Sequence, residues 1–207
     1  MSYISLAQRN IPSKLVDLLI SLMAEAYDRS FKLAFTEFES NQVFQCGYAR
    51  WTKCDDALYE AALQCGLNPV RVTSSNTQEH TEIRLPECTL IMKKVDHPGK
   101  VGKAAYRQPL LKNQGLLSLF SSDEMRSKKI DQGKPVLLEI THGPKKGAPG
   151  EIGFIHVAFP NGTGGVYTHF PIKQLTEKTA PTQKGVEVVP PLQPILPKSH
   201  KLSVLTK

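Results

Sequence analysis

Leu15, Leu18, Leu19, Leu22 and Ala26 recur at intervals of three and four residues, which places them on one face of a helix. Val16, Met23 and Tyr27 widen that stripe. The spacing predicts a helix from Ser13 to Phe38, with Pro12 beside the first turn, Asn10 or Ser13 as cap, and Asp17 near the positive end of the helix dipole. Phe31, Phe35 and Phe38 continue the pattern on a rotated face, and the whole stripe reads as core. An apolar face this wide needs a second layer to cover it.

The rest of the chain supplies that layer. A second helix is predicted over Lys53 to Cys65, where Ala57, Leu58, Ala61 and Ala62 repeat helically and Gly66 can adopt a left-handed stop. Val70 to Thr73, Glu82 to Leu85 and Thr89 to Val95 read as strands, with Ser74 to Gln78 as a turn. Three further strand-like runs, Pro135 to His142, Glu151 to Phe159 and Gly165 to Ile172, are separated by Gly143–Gly150 and by the tight Pro160–Gly164 sequence, which predicts an antiparallel meander. Between the two groups, a basic loop with a helical turn near Ala104 and short helices in Leu110 to Met125 are expected.

The predicted fold is α+β, with N-terminal helices packed on a largely antiparallel sheet. Residues 1–176 form one domain, helical over 1–66 and sheet-rich over 67–176. The last segment, 177–207, holds five prolines, four lysines and one glutamate from Ala180 onward, and reads as an extended Pro-rich C-terminal tail. Val186, Val188 and Val189 add apolar anchors to it. Pro191, Leu192, Pro194, Ile195 and Leu196 are its expected partner-binding residues.

Charge narrows the function classes. Residues 1–66 carry six Lys/Arg against eight Asp/Glu, while 67–207 carry twenty against eleven, so the net +7 is −2 plus +9. Such asymmetry suggests an anionic partner for the downstream part, with nucleic acid first and an acidic protein next. Lys93, Lys94, Lys100, Lys103, Arg107 and Lys112 form the densest basic stretch, against the single acid Asp96. Lys145 and Lys146 add a second basic point in the Gly/Pro loop, suited to a phosphate backbone. That loop lacks the spacing of a Walker phosphate loop.

Several chemistries lack their signatures. Cys46, Cys54, Cys65 and Cys88 stand 8, 11 and 23 residues apart, with no C-x2-C knuckle for zinc, and read as small hydrophobes kept reduced inside a cell. With His142 opposite Ile152 and His156 opposite Leu138, these two histidines fall on one sheet face about 13 Å apart, too far to share one zinc. His156 among Ile152, Phe154 and Ala158 reads as a core histidine. Trp51, beside Arg50 and Tyr48, reads as a core anchor, with base stacking as its functional alternative. No G-x-S-x-G elbow is present.

A metal-dependent nuclease needs carboxylates for magnesium and a lysine for the developing phosphate charge. Glu139-Ile140-Thr141 puts threonine where that lysine is wanted, which leaves a degenerate centre of Glu82, Glu139 and Lys93. The sequence therefore ranks first a non-enzymatic, nucleic-acid-binding subunit of a larger assembly, soluble and cytoplasmic, with no cofactor or metal. The nuclease or another hydrolase comes second and a pure protein-interaction subunit third. A protein partner or a second copy is expected, and a membrane is not, since no apolar run reaches the roughly 18 residues of a span.

Overall fold

The computed structural model describes residues 3–38, 40–73, 79–100, 135–160 and 165–177. The predicted first helix is α2, Ser13–Glu37, and its stripe of Leu15, Val16, Leu19, Met23, Ala26 and Tyr27 is buried. Pro12 precedes it with extended backbone, and no side chain caps it. A shorter helix, α1 (Tyr3–Asn10), comes before it and was not evident in the sequence. It buries Leu6 and Ala7, and Asn10 Nδ2 donates to Glu87 Oε2 at 2.9 Å while the Glu87 amide donates back to Asn10 Oδ1 at 3.2 Å.

Helix α3 spans Gln42–Gln64, eleven residues earlier at its start than the periodicity of Ala57 to Cys65 suggested. Its first turns follow Asn41, a non-glycine residue at φ 57°, and it closes at Gly66 with φ 73°. Ala57, Leu58, Ala61 and Ala62 pack into the core beside α2. Among the described residues, no helix is long and apolar enough to cross a membrane.

Six strands make one sheet in sequential order. They are β1 (Pro69–Thr73), β2 (Glu79–Arg84), β3 (Cys88–Lys94), β4 (Val136–Lys145), β5 (Ala148–Pro160) and β6 (Val166–Pro171), followed by a 3-10 turn at Ile172–Leu175. All neighbours are antiparallel except β3 and β4, which run parallel. The fold is thus mixed α+β, as the sequence predicts. Residues 101–112 of the basic stretch with the turn near Ala104, the Leu110–Met125 helices, the Ser74–Gln78 turn, residues 161–164 and residues 178–207 of the Pro-rich tail with its partner-binding residues lie outside the described residues.

One face of the sheet carries Ile83, Leu90, Met92, Leu138, Ile140, Val157 and Phe170, which join the helices in a single core. Alternation then sends the intervening residues to the other face. Asp55 ties the layers together. Its Oδ1 accepts from the Thr81 amide at 2.9 Å, its Oδ2 accepts from Thr81 Oγ1 at 2.8 Å, and Arg71 pairs with it and with Asp56. Burial raises the Asp55 pKa, against the lowering effect of the Thr81 hydrogen bonds and the Arg71 charge.

The β4–β5 hairpin differs from the sequence expectation. Pairing continues through Gly143 and Pro144 to Lys145↔Ala148, so the connection is the two-residue turn Lys146-Gly147, with Gly147 at φ 78°. Register shifts at Pro144, which has no N–H to give, allow the extension. His142 consequently pairs with Ile155 rather than Ile152. A three-residue slip is odd, so it reverses faces: His142 points to the helices and His156 away from them.

Candidate functional site

The face of the sheet turned away from the helices gathers the polar residues of four strands. Register places Ile91, Glu139, Ala158 and His169 in one row, and Lys93, Thr141 and His156 in the next. Glu82 belongs to the same face, because Arg84, two residues on, pairs with Thr89, and Thr89 pairs with Leu137. Strand spacing puts the Glu82 and Glu139 backbones about 10 Å apart, with β3 between them.

Glu139 and Thr141 have no exposed surface, and Glu82 and His80 are also buried. His80 Nε2 donates to Glu82 Oε1 at 3.2 Å, and Arg84 lies 3.5 Å from Oε2. The hydrogen bond from His80 lowers the Glu82 pKa, outweighing the opposite effect of burial, with the His80 and Arg84 charges adding to it. The charged form of Glu82 is thereby favoured despite its burial. The sequence pattern starts this strand at Glu82 and so misses His80, whose spacing in His80-Thr81-Glu82 puts both side chains on one strand face once β2 starts at Glu79.

Lys93 pairs directly with Thr141 across the parallel ladder. The three residues of the degenerate centre, Glu82, Glu139 and Lys93, thus share one face on three consecutive strands. Among the described residues no three His, Cys, Asp or Glu side chains converge to hold a metal ion.

At the outer end of this face His156 Nδ1 and His169 Nδ1 lie 3.0 Å apart, with ring centres separated by 5.2 Å. The centre distance is about that of one hydrogen bond plus two ring radii, so the nitrogens face each other along a line. One imidazole donates and the other accepts. Burial, together with the neighbouring His169, lowers the His156 pKa. His156 is half-buried and paired, not the core histidine the sequence suggested, and this pair was not foreseen because β6 sets it.

The lysines of the basic stretch do not form one surface. Lys94 points to the helix side, where its Nζ lies 3.6 Å from the position a Cβ on Gly47 would take, whereas Lys93 points to the other side. Lys100 pairs with Asp96, and Lys145 pairs with Glu151 at 2.7 Å. Lys146 is exposed in the hairpin turn. Lys103, Arg107 and Lys112 lie outside the described residues.

A second polar cluster lies between the layers. Tyr27 Oη and His142 Nδ1 are hydrogen bonded at 2.8 Å, the Arg50 guanidinium sits 4.6 Å from the Tyr27 ring centre, and Arg50 donates to Cys46 Sγ and the Pro149 carbonyl. Burial pushes His142 down to about 3, helped by the Arg50 and Lys94 charges, and pushes the Cys54 thiol up to about 12. These are groups held neutral. Cys46, Cys54 and Cys88 are buried, in keeping with their reading as small hydrophobes. A mostly apolar groove of about 660 Å³ between α2 and β5 is lined by Ile20, Ala24, Phe154, His156 and Ile172, and it does not include Glu82, Glu139 or Lys93.

Comparisons with protein families, with characterised proteins and with solved structures find no match to this chain.

Proposed function

We propose that the chain binds nucleic acid and hydrolyses its phosphodiester bonds with a divalent ion, at the sheet face carrying Glu82, Glu139 and Lys93. The observation behind this reading is the pairing of Lys93 with Thr141. It supplies a lysine at the position where Glu139-Ile140-Thr141 lacks one, and so moves the enzymatic reading ahead of the non-enzymatic one favoured by the sequence. Magnesium retains most of its waters and needs only one or two carboxylates besides the substrate phosphate, so Glu82 and Glu139 would be its protein ligands, Glu82 exchanging its contacts with His80 and Arg84 for the ion. A bound ion would polarise the phosphoryl group and activate water. Lys93 would offset the charge that develops on the phosphoryl oxygens.

The test is cleavage of end-labelled single- and double-stranded DNA and RNA by the full chain, in magnesium or manganese against EDTA. Metal-dependent cleavage that is lost in Glu139→Gln, with the variant's circular dichroism unchanged, is the expected result. Cleavage of none of the substrates, or cleavage indifferent to Glu139→Gln, would overturn the reading. Salt-sensitive binding without cleavage would restore the non-enzymatic subunit.

A further inference from the structure

The end of the α2–α3 hairpin exposes apolar side chains at helical spacing. Phe31, Phe35 and Phe38 follow the i, i+4, i+7 pattern on and just beyond α2, and Phe44, Tyr48 and Trp51 follow it on α3. On a packed helix such stripes are buried. Here Phe35 is 42% exposed, Phe38 36%, Val43 83%, Phe44 72% and Tyr48 57%. Only the inner members are sheltered: Phe31 lies against Gly150 and meets Phe35 at a tilt of 34° with ring centres 4.4 Å apart, and Trp51 is half-buried beside Tyr48.

We infer that this hairpin end is the surface through which two copies of the chain associate, as a two-fold pairing of helical hairpins. Two arguments select a second copy as the occupant. The first is charge. From Leu33 to Ala49 the sequence carries only Glu37 and Glu39 as charged residues, and Ser40, Asn41, Gln42 and Gln45 otherwise border the aromatics. In an isologous contact a patch meets its own image, so a charged centre would repel itself and an uncharged one is self-complementary. The second is area. At roughly 200 Å² for a whole aromatic side chain, the exposed fractions of Phe35, Phe38, Phe44 and Tyr48 amount to about 400 Å² per copy. Two copies would cover about 800 Å² from these rings alone, and Val43 with the polar border carries the total past the roughly 1,000 Å² that a specific interface requires.

Two antiparallel helices from each copy give a four-helix arrangement whose seam is the aromatic stripe. Phe44 and Tyr48 are the central anchors, because aromatic residues at the middle of a contact carry most of its energy. The sheet and its polar face lie outside the contact.

Sedimentation velocity of the full chain, from about 1 to 200 µM, tests the inference. The expected result is a concentration-dependent dimer whose dissociation constant rises at least tenfold in Phe44→Glu/Tyr48→Glu, and is unchanged in Leu63→Glu, an exposed site near the other end of α3. Should the double glutamate variant lose its helical circular dichroism, Phe44→Ser takes its place, with the same expected direction. A wild-type chain that stays monomeric at every concentration overturns the inference, as does a dimer that survives both variants. Monomers that cosediment with phosphatidylcholine vesicles through Phe44 also overturn it, assigning the patch to a lipid surface.

Discussion

Lys93 stands opposite Thr141 in the one parallel ladder of the sheet, two residues beyond the pairing of Ile91 with Glu139. A lysine supplied by β3 thereby stands beside an acid supplied by β4, whose own lysine, Lys145, lies six residues further on, in the hairpin end. The relationship has a direct genetic consequence.

Because positions 93 and 141 are cross-strand neighbours, exchanging them should preserve the site better than deleting one. Lys93→Ala should lower metal-dependent cleavage by at least tenfold, and Lys93→Thr/Thr141→Lys should recover part of it. Steady-state cleavage rates at fixed magnesium provide the comparison. A double exchange no better than Lys93→Ala would show that the ammonium acts elsewhere.

Stability should fall with pH below the ordinary histidine range. In the folded chain burial lowers His142 to about 3, so the native state leaves it neutral while the unfolded chain takes up a proton below about 6.5. The contribution is complete above pH 6.5 and is lost progressively as pH falls from there toward 3, at up to about 1.4 kcal/mol per pH unit. Urea unfolding at pH 7, 6 and 5 should show this slope, and His142→Gln should flatten it. Identical slopes in the two proteins would remove His142 as the cause.

Asp55 should matter more than its partner. Removing it leaves the buried Thr81 amide without its acceptor and the Thr81 hydroxyl with only the longer bond to the Asp55 carbonyl at 3.3 Å, so Asp55→Ala should cost about 3 kcal/mol. Arg71 is a third exposed, and its loss should cost about 1 kcal/mol. Chemical denaturation of both variants checks the order, and Arg71→Ala proving the more damaging would contradict it.

Gly143 admits no larger residue. A Cβ there would stand 2.5 Å from the Phe154 ring and 2.7 Å from the Val95 carbonyl. Gly143→Ala should therefore cost about 1 to 3 kcal/mol. Adding Phe154→Leu should return only part of that, since the backbone carbonyl cannot move aside as a ring can. The melting temperatures of the single and double variants supply the readout.

The helices and strands were legible because their patterns are local. The Leu15 to Tyr27 stripe identified α2 and its buried face, and the strand runs were placed within a few residues. Pairing was not legible. Period two shows that Lys93 and Lys94 part company, but only register decides which of them meets Glu139's face, and a parallel crossover leaves no turn from which to count it. The same gap misplaced His142 relative to His156, because Pro144 in a ladder argued for a loop and the strand ran through it. The start of α3 was missed because Phe44, Tyr48 and Trp51 repeat helically without facing the core, and Phe35 and Phe38 were assigned to the interior for want of any sign that their face lay open. Glu82, Glu139 and Lys93 were each identifiable by chemistry, whereas their shared face came from topology.

The parallel ladder also governs the order in which the molecule can be assembled. Every β3–β4 pair, from Cys88↔Val136 to Lys94↔His142, joins residues 48 positions apart, whereas the β4–β5 pairs begin three positions apart at Lys145↔Ala148. Closing the shorter loops costs less entropy, so the hairpins on either side can zip from their turns while the central seam waits for a distant encounter. Glu82 and Lys93 ride on one of those early pieces and Glu139 on the other. Neither piece holds all three residues, and Glu139 joins Glu82 and Lys93 only when the slowest closure of the sheet is complete.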